Sequence, residues 1–172
     1  PYSSKIKEMN NVLSNKPRIL IMTKYDLCDK LETNKWQEYY HNKGYKVITL
    51  DLASSNPDFK ELIDLTNETM AKLQAKRNAK GLKEKEIHAL ICGIPNVGKS
   101  TFINRFVGKS VAKVGNMPGI TTKLTWLTTK SNILLLDTPG ILWPKFENEE
   151  IALNLASMSA IKEDILPIEK VA

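Results

Sequence analysis

Gly93-Ile94-Pro95-Asn96-Val97-Gly98-Lys99-Ser100 decides the fold. The stretch fits G-x-x-x-x-G-K-[ST], the phosphate-binding P-loop. Average residue frequencies give roughly a 1 % expectation of one such match in a chain of this length. The flanks sharpen it. Ile87 to Cys92 is mostly apolar and reads as a buried strand, and Thr101 to Val107, free of Gly and Pro, reads as the start of a helix. Gly93 and Gly98 let the backbone close around a polyphosphate, towards which the N–H groups of the helix N-terminus point. Lys99 sets a positive charge against the β- and γ-phosphates, and Ser100 offers a hydroxyl to Mg²⁺. Asn96, Val97, Gly98, Lys99, Ser100 and Thr101 are the residues expected to wrap the phosphates.

The chain has 172 residues, enough for one domain with a substantial core. No apolar run approaches the ~18 residues of a membrane span, and the opening residues are not expected to form a signal peptide. Pro1 is not a natural initiator, so a fragment, or a chain without its true start, is expected. Cys28 and Cys92 form no metal-ligand pattern, and Cys92 reads as a small core residue in a cytoplasmic protein with reduced thiols. His41 and His88 have no partners at ligand spacing. The net charge of +6 suits a polyanionic partner as well as an ordinary soluble surface.

Working outward, Ser4 to Ser14 reads as a short helix or a loop, with Ile6, Met9, Val12 and Leu13 spaced for one face. Arg18 to Met22 is a short apolar run, expected as a parallel strand. Thr33 is expected to cap a helix from Asn34 to about Lys43, with Trp36, Tyr39 and Tyr40 packing on one side and Gly44 as the stop. Tyr45 to Leu50 is the next strand. Asn56 and Pro57 are expected to open a long helix to roughly Ala79, with a stripe of Phe59, Leu62, Ile63, Leu65, Met70 and Leu73. Lys72 to Glu86 is basic and links this helix to the P-loop strand; it reads as a solvated helix end, with RNA phosphate as the sharper reading. Gly108 to Thr122 reads as a mobile loop. Leu124 to Thr129 and Ile133 to Leu136 read as adjacent strands, and Glu147 to about Ile161 as a helix with Ile151, Leu155 and Met158 on one face.

Strands alternating with helices indicate an α/β class with a mostly parallel sheet, whose ligands sit beyond the carboxyl ends of the strands. Three loops fall there. In Asp137-Thr138-Pro139-Gly140, Asp137 can hold Mg²⁺ through water and the Gly140 N–H can sense a γ-phosphate. In Pro118-Gly119-Ile120-Thr121-Thr122, Thr121, with Thr122 as the alternative, can close over Mg²⁺ and the γ-phosphate. In Thr23-Lys24-Tyr25-Asp26, the carboxylate of Asp26 can accept from guanine N1 and its 2-amino group, donors that adenine lacks, while the Lys24 stem lies over the purine. Thr23 stands where the usual N-K-x-D has Asn, so only part of that amide's bonding can be replaced. Asp51-Leu52-Ala53-Ser54 can supply the Ala53 N–H to guanine O6.

In ordinary GTPases the base-reading loops follow the P-loop. Here they precede it, so the order is circularly permuted, with Lys72 to Glu86 as the joining linker. Domain termini often lie close together, which makes such a rejoining physically easy. The fold class expected is a Ras-like, three-layer P-loop NTPase. The permuted order, the P-loop itself, P-G-I-T-T, D-T-P-G-I-L-W-P-K over Asp137 to Lys145 and the opening P-Y-S-S resemble bacterial ribosome-assembly GTPases of the RbgA/YlqF type. The resemblance implies GTP hydrolysis coupled to maturation of the large ribosomal subunit, contact with ribosomal RNA and protein, GTP/GDP and Mg²⁺ as ligands, and a monomeric G domain. Against that family the chain lacks an upstream segment with a His and one strand, and a C-terminal RNA-binding domain. A single G domain, a piece of a longer protein, is therefore expected over residues 1–172.

Ile141 occupies the place where Ras-like switches carry a water-orienting Gln. Lys99, Thr121 and Gly140, with the metal at Ser100, Thr121 and Asp137, are then left to stabilise the developing charge, and slow intrinsic turnover is expected. Asn96 resembles its counterpart in GTPases that bind K⁺ beside the phosphates. The competing readings are a permuted GTPase of the small subunit, an ATP-using P-loop enzyme, and a nucleotide-regulated RNA-binding scaffold.

Overall fold

The computed structural model describes residues 16–112, 125–140 and 149–161. The expected Ser4–Ser14 element, Thr121, Thr122 and Ile141 lie outside them. β1 (Ile19–Met22) and β2 (Lys46–Thr49) pair in parallel, Ile19 opposite Lys46. Between them runs α1 (Lys30–Asn42). Its cap is Asp29, whose carboxylate accepts the Glu32 N–H at 3.0 Å. Thr33 is not the cap: it lies a turn inside, buried, its hydroxyl donating to Asp29 O at 2.7 Å. An Asp three residues ahead of a free N–H satisfies that donor first, so the helix starts earlier than the Thr suggested. Trp36, Tyr39 and Tyr40 pack as a ring cluster, with Tyr40 buried and joined edge-on by Tyr45.

α2 (Lys60–Asn78) also starts away from its expected cap. The Lys60 N–H donates to Asp58 Oδ1 at 2.8 Å, leaving Asn56 and Pro57 outside the helix. Phe59, Leu62, Ile63, Leu65 and Met70 enter the core as expected, but Leu73 is 53 % exposed, because past Met70 the helix runs off the core. The basic linker folds back along α2. Gln74 bonds both the carbonyl (2.7 Å) and the N–H (3.3 Å) of Lys85, and Arg77 Nη2 donates to Lys83 O at 3.2 Å.

β3 (Ile87–Ile91) pairs in parallel with β5 (Ile133–Asp137), which pairs antiparallel with β4 (Thr125–Thr128). The described strands thus form two hydrogen-bonded sheets, β1-β2 and β3-β5-β4, in which two of three ladders are parallel. One core serves both. Ile48, Leu50 and Leu52 from the first side meet Ile87, Ile133 and Leu135 from the second, together with Leu62 of α2 and Phe102, Ile103, Phe106 and Val107 of α3 (Lys99–Val107). Strand alternation sends Ile19 and Ile21 into this core and Leu20 and Met22 the other way. α4 (Glu149–Ser157) builds a second cluster: Ile151, Leu155, Ala156, Ala160 and Ile161 enclose Ile94 of the P-loop, with Met158 against them.

Candidate functional site

The carboxyl ends of β1, β2, β3 and β5 lead into the described residues that the sequence assigned to the nucleotide site. β3 runs through Cys92 into the P-loop and then α3. Ile94 is fully buried in the α4 cluster, so this loop is held by an apolar side chain turned towards α4. Asn96 (φ +57°) and Gly98 (φ +94°) are both left-handed, curving the backbone into the concave form that collects N–H groups around an anion. At Gly98 an L side chain would be strained. α3 begins at Lys99, and Gly98 O already accepts the Phe102 N–H at 2.8 Å, so the first-turn N–H groups of Lys99, Ser100 and Thr101 have no earlier helical carbonyl to reach. The helix N-terminus adds partial positive charge there.

Lys99 Nζ donates to Ile94 O at 2.8 Å, folding its side chain back across the loop. Burial pushes its ammonium below the ordinary lysine range, against the opposing pull of Asp137 and then Cys92. Asp137, 5 % exposed at the end of β5, is pushed up by burial, while the Lys99 charge and a backbone hydrogen bond at Thr138 hold it down. Its Oδ1 is buried with no hydrogen-bond partner among the described residues. A buried carboxylate oxygen without a donor is costly unless something cationic or wet completes it. Burial likewise raises the Cys92 thiol, opposed by Thr138 and Lys99.

Thr138 ties the D-T-P-G turn to the strand that feeds the P-loop, donating to Ile91 O at 2.6 Å. Gly140 then comes so close to the P-loop that a Cβ there would lie 2.8 Å from Pro95 N and Cγ. Sequence reasoning saw the Gly140 N–H as a phosphate sensor and missed its packing on Pro95. It also missed Thr138, whose hydroxyl beside Asp137 was the available signal. The far side of the loop is closed by Asn96, whose Nδ2 donates to Ser159 O at 2.8 Å beyond α4.

In the loop after β1, where the sequence placed base recognition, Thr23 Oγ1 donates to Val97 O at 2.5 Å. Lys24 is left-handed (φ +55°) and opens a 3-10 turn, Tyr25–Leu27, that leaves Asp26 exposed. After β2, Asp51 Oδ1 accepts the N–H groups of Ala53 (2.9 Å) and Ser54 (3.2 Å). Leu52 stays buried, its Cδ1 3.7 Å from where a Cβ on Gly98 would be. The two base-side loops therefore abut the P-loop at Gly98. Among the described residues no group of three or more His, Cys, Asp or Glu could hold a metal ion.

A P-loop backed by a strand-end Asp and by a base-side loop that comes earlier in the chain defines a circularly permuted P-loop GTPase domain. Residues 88–168 match the family model described as 50S ribosome-binding GTPase. Ribosome biogenesis GTPase A of Bacillus pumilus is 41 % identical over all 172 residues, which span 61 % of that protein. The protein of the same name in Thermotoga maritima is 32 % identical over 158 residues, 92 % of this chain and 52 % of the relative. The GNP-bound crystal structure of YlqF from T. maritima superposes with a TM-score of 0.66 at 23 % identity, over 99 % of this chain and 60 % of that one, a likeness of fold. The chain belongs to the ribosome biogenesis GTPase A (RbgA/YlqF) family.

Proposed function

We propose that this chain is the G domain of a GTP-binding and GTP-hydrolysing switch that acts, as a monomer in the cytoplasm, in assembly of the large ribosomal subunit. The observation that carries the reading is the left-handed turn at Asn96 and Gly98 that leads the P-loop into the N-terminus of α3, beside Lys99 and a strand-end Asp137 whose Oδ1 is buried without a hydrogen-bond partner among the described residues. Such an arrangement suits a polyphosphate with its cation. Lys99 leaves Ile94 O for the β- and γ-phosphates, while the α3 N-terminus and P-loop N–H groups hold the α- and β-phosphates. Asp26 reads guanine N1 and the 2-amino group, and the Ala53 N–H turns from Asp51 to O6.

Mg²⁺ fits the residues present: the orphaned Asp137 Oδ1 and the Ser100 hydroxyl would hold it, and the lack of an acidic cluster among the described residues suits an ion that keeps mainly phosphate and water ligands. When bound, it neutralises charge on the phosphate oxygens. Thr121 is proposed to complete the cover over the γ-phosphate, and Gly140 to respond to it through its N–H. The aliphatic Ile141 cannot orient water, so the rate depends on charge stabilisation and on a group supplied by another segment of the protein or by the ribosome. K⁺ beside Asn96 is proposed to add to that charge, and equal rates in K⁺ and Na⁺ buffers would refute it.

GTP hydrolysis by the full-length protein, with and without purified large subunits in potassium buffer, tests the proposal. Strong stimulation is expected. Unstimulated turnover together with particle binding that ignores nucleotide would overturn it.

A further inference from the structure

Only a few described contacts join the base side of the site to the phosphate side, and one of them is a single directed hydrogen bond, Thr23 Oγ1 to Val97 O. Val97 is the residue before Gly98, so this carbonyl lies at the point where the P-loop turns into α3. Thr23 Cβ and Oγ1 also stand 3.8 and 3.7 Å from the position a Gly98 Cβ would take. A hydroxyl has one proton to give. At Thr23 that proton is committed to the P-loop, which leaves none for an acceptor on a purine. An asparagine has two amide protons and can serve both.

We propose that Thr23 is the positioning residue that sets base recognition in register with the P-loop, and that its commitment to Val97 leaves purine N7 unread. The idea rests on the guanine-nucleotide reading above and adds to it a specificity. Base selection falls on the Watson–Crick edge, through Asp26, and on O6, through Ala53. A nucleotide whose N7 is replaced by carbon is bound as well as the natural one.

The test is a set of displacement titrations on the full-length protein, using a fluorescent GDP and the competitors GDP, 7-deaza-GDP, ADP and inorganic pyrophosphate. Wild type is expected to bind GDP and 7-deaza-GDP within about twofold of each other, since no hydrogen bond separates them. Thr23→Val keeps the shape and loses the donor; it should weaken GDP roughly five- to tenfold, the scale of one hydrogen bond, and leave pyrophosphate unchanged. Thr23→Ser should restore GDP affinity. Thr23→Asn should bring in a preference for GDP over 7-deaza-GDP. Discrimination against 7-deaza-GDP by wild type, unchanged GDP binding in Thr23→Val, or an equal loss of pyrophosphate binding would each overturn the proposal. If wild type binds ADP as tightly as GDP, the guanine reading itself fails, before any Thr23 variant is compared.

Discussion

Around Lys99 and Asp137 burial works against both charges, whereas Asp26, along the same row of strand ends, is exposed. The phosphate side is also the more tightly braced. Thr138 holds Ile91, Gly140 lies on Pro95, Ile94 is sealed by α4, and Asn96 reaches Ser159. The base side is a left-handed Lys24, a 3-10 turn and an Asp51-capped loop, leaning on the P-loop through Thr23 and Leu52. The difference follows the chemistry each side is proposed to meet. Polyphosphate brings charge that must find pre-set partners in a dry site, where electrostatics are strong. A neutral base needs a few directed bonds and a flat surface.

Substitutions should therefore separate the two sides. The largest effect is expected from Lys99→Ala, which removes the charge proposed to meet the phosphates and the cation whose field favours the Asp137 carboxylate. Single-turnover hydrolysis should fall by on the order of 10²–10³. A loss no greater than that of an exposed lysine such as Lys35 would erase the contrast. Next is Gly140→Ala. Its Cβ would meet backbone atoms of Pro95, so the turn or the P-loop must move, at about 1–3 kcal/mol. Thermal unfolding should drop by roughly 2–4 °C for each kcal/mol, and hydrolysis should fall with it.

The third concerns pH. Asp137 holds its proton above its usual 3.8 in the folded protein, so between that value and its raised one the folded state binds more protons than the unfolded chain. Stability contributed by the neutral carboxyl is therefore complete below 3.8 and is lost as pH rises through the folded value. Asp137→Asn stays neutral throughout. In the absence of Mg²⁺ and nucleotide, the melting temperature of wild type minus that of Asp137→Asn should become more negative as pH rises from about 3.5 to neutrality. A flat difference would mean that Asp137 is not held in a dry site. The smallest effect is expected on the base side. Asp29→Ala removes the α1 cap and should cost about 1 kcal/mol of stability. It should lower the melting temperature and leave GTP affinity unchanged, as a local defect in the solvated half.

The P-loop, the D-T-P-G turn and the T-K-Y-D loop were legible because each is a local pattern that chemistry constrains at fixed spacing, and each is at the end of the strand expected for it. Helix starts were less so. At Thr33 and Asn56 several cap-competent residues stood within a turn of one another, and only geometry decides which carboxylate meets a free N–H; Asp29 and Asp58 did. Leu73 kept the helical spacing of its stripe, but periodicity does not say where a helix outruns its core. The contacts that brace the site were the least visible. Gly140 on Pro95, Asn96 on Ser159 and Thr23 on Val97 join residues 45, 63 and 74 positions apart, and nothing in the local sequence of either partner signals the other.

The two separate ladders carry a consequence for how the molecule comes together. β1 pairs with β2 inside residues 19–49, and β3, β5 and β4 pair inside residues 87–137. Each ladder closes within its own stretch of chain, across about 20 residues for β1–β2 and about 40 for β3–β5, and the entropic cost of such closures grows only slowly with length. Between them lies α2, pinned to its own linker by Gln74 and Arg77. Synthesis proceeds from the N-terminus at a pace that lets early segments organise first. The β1–β2 stretch is thus synthesised before the P-loop strand, and the core that the two ladders share closes only when β3 and α3 have followed.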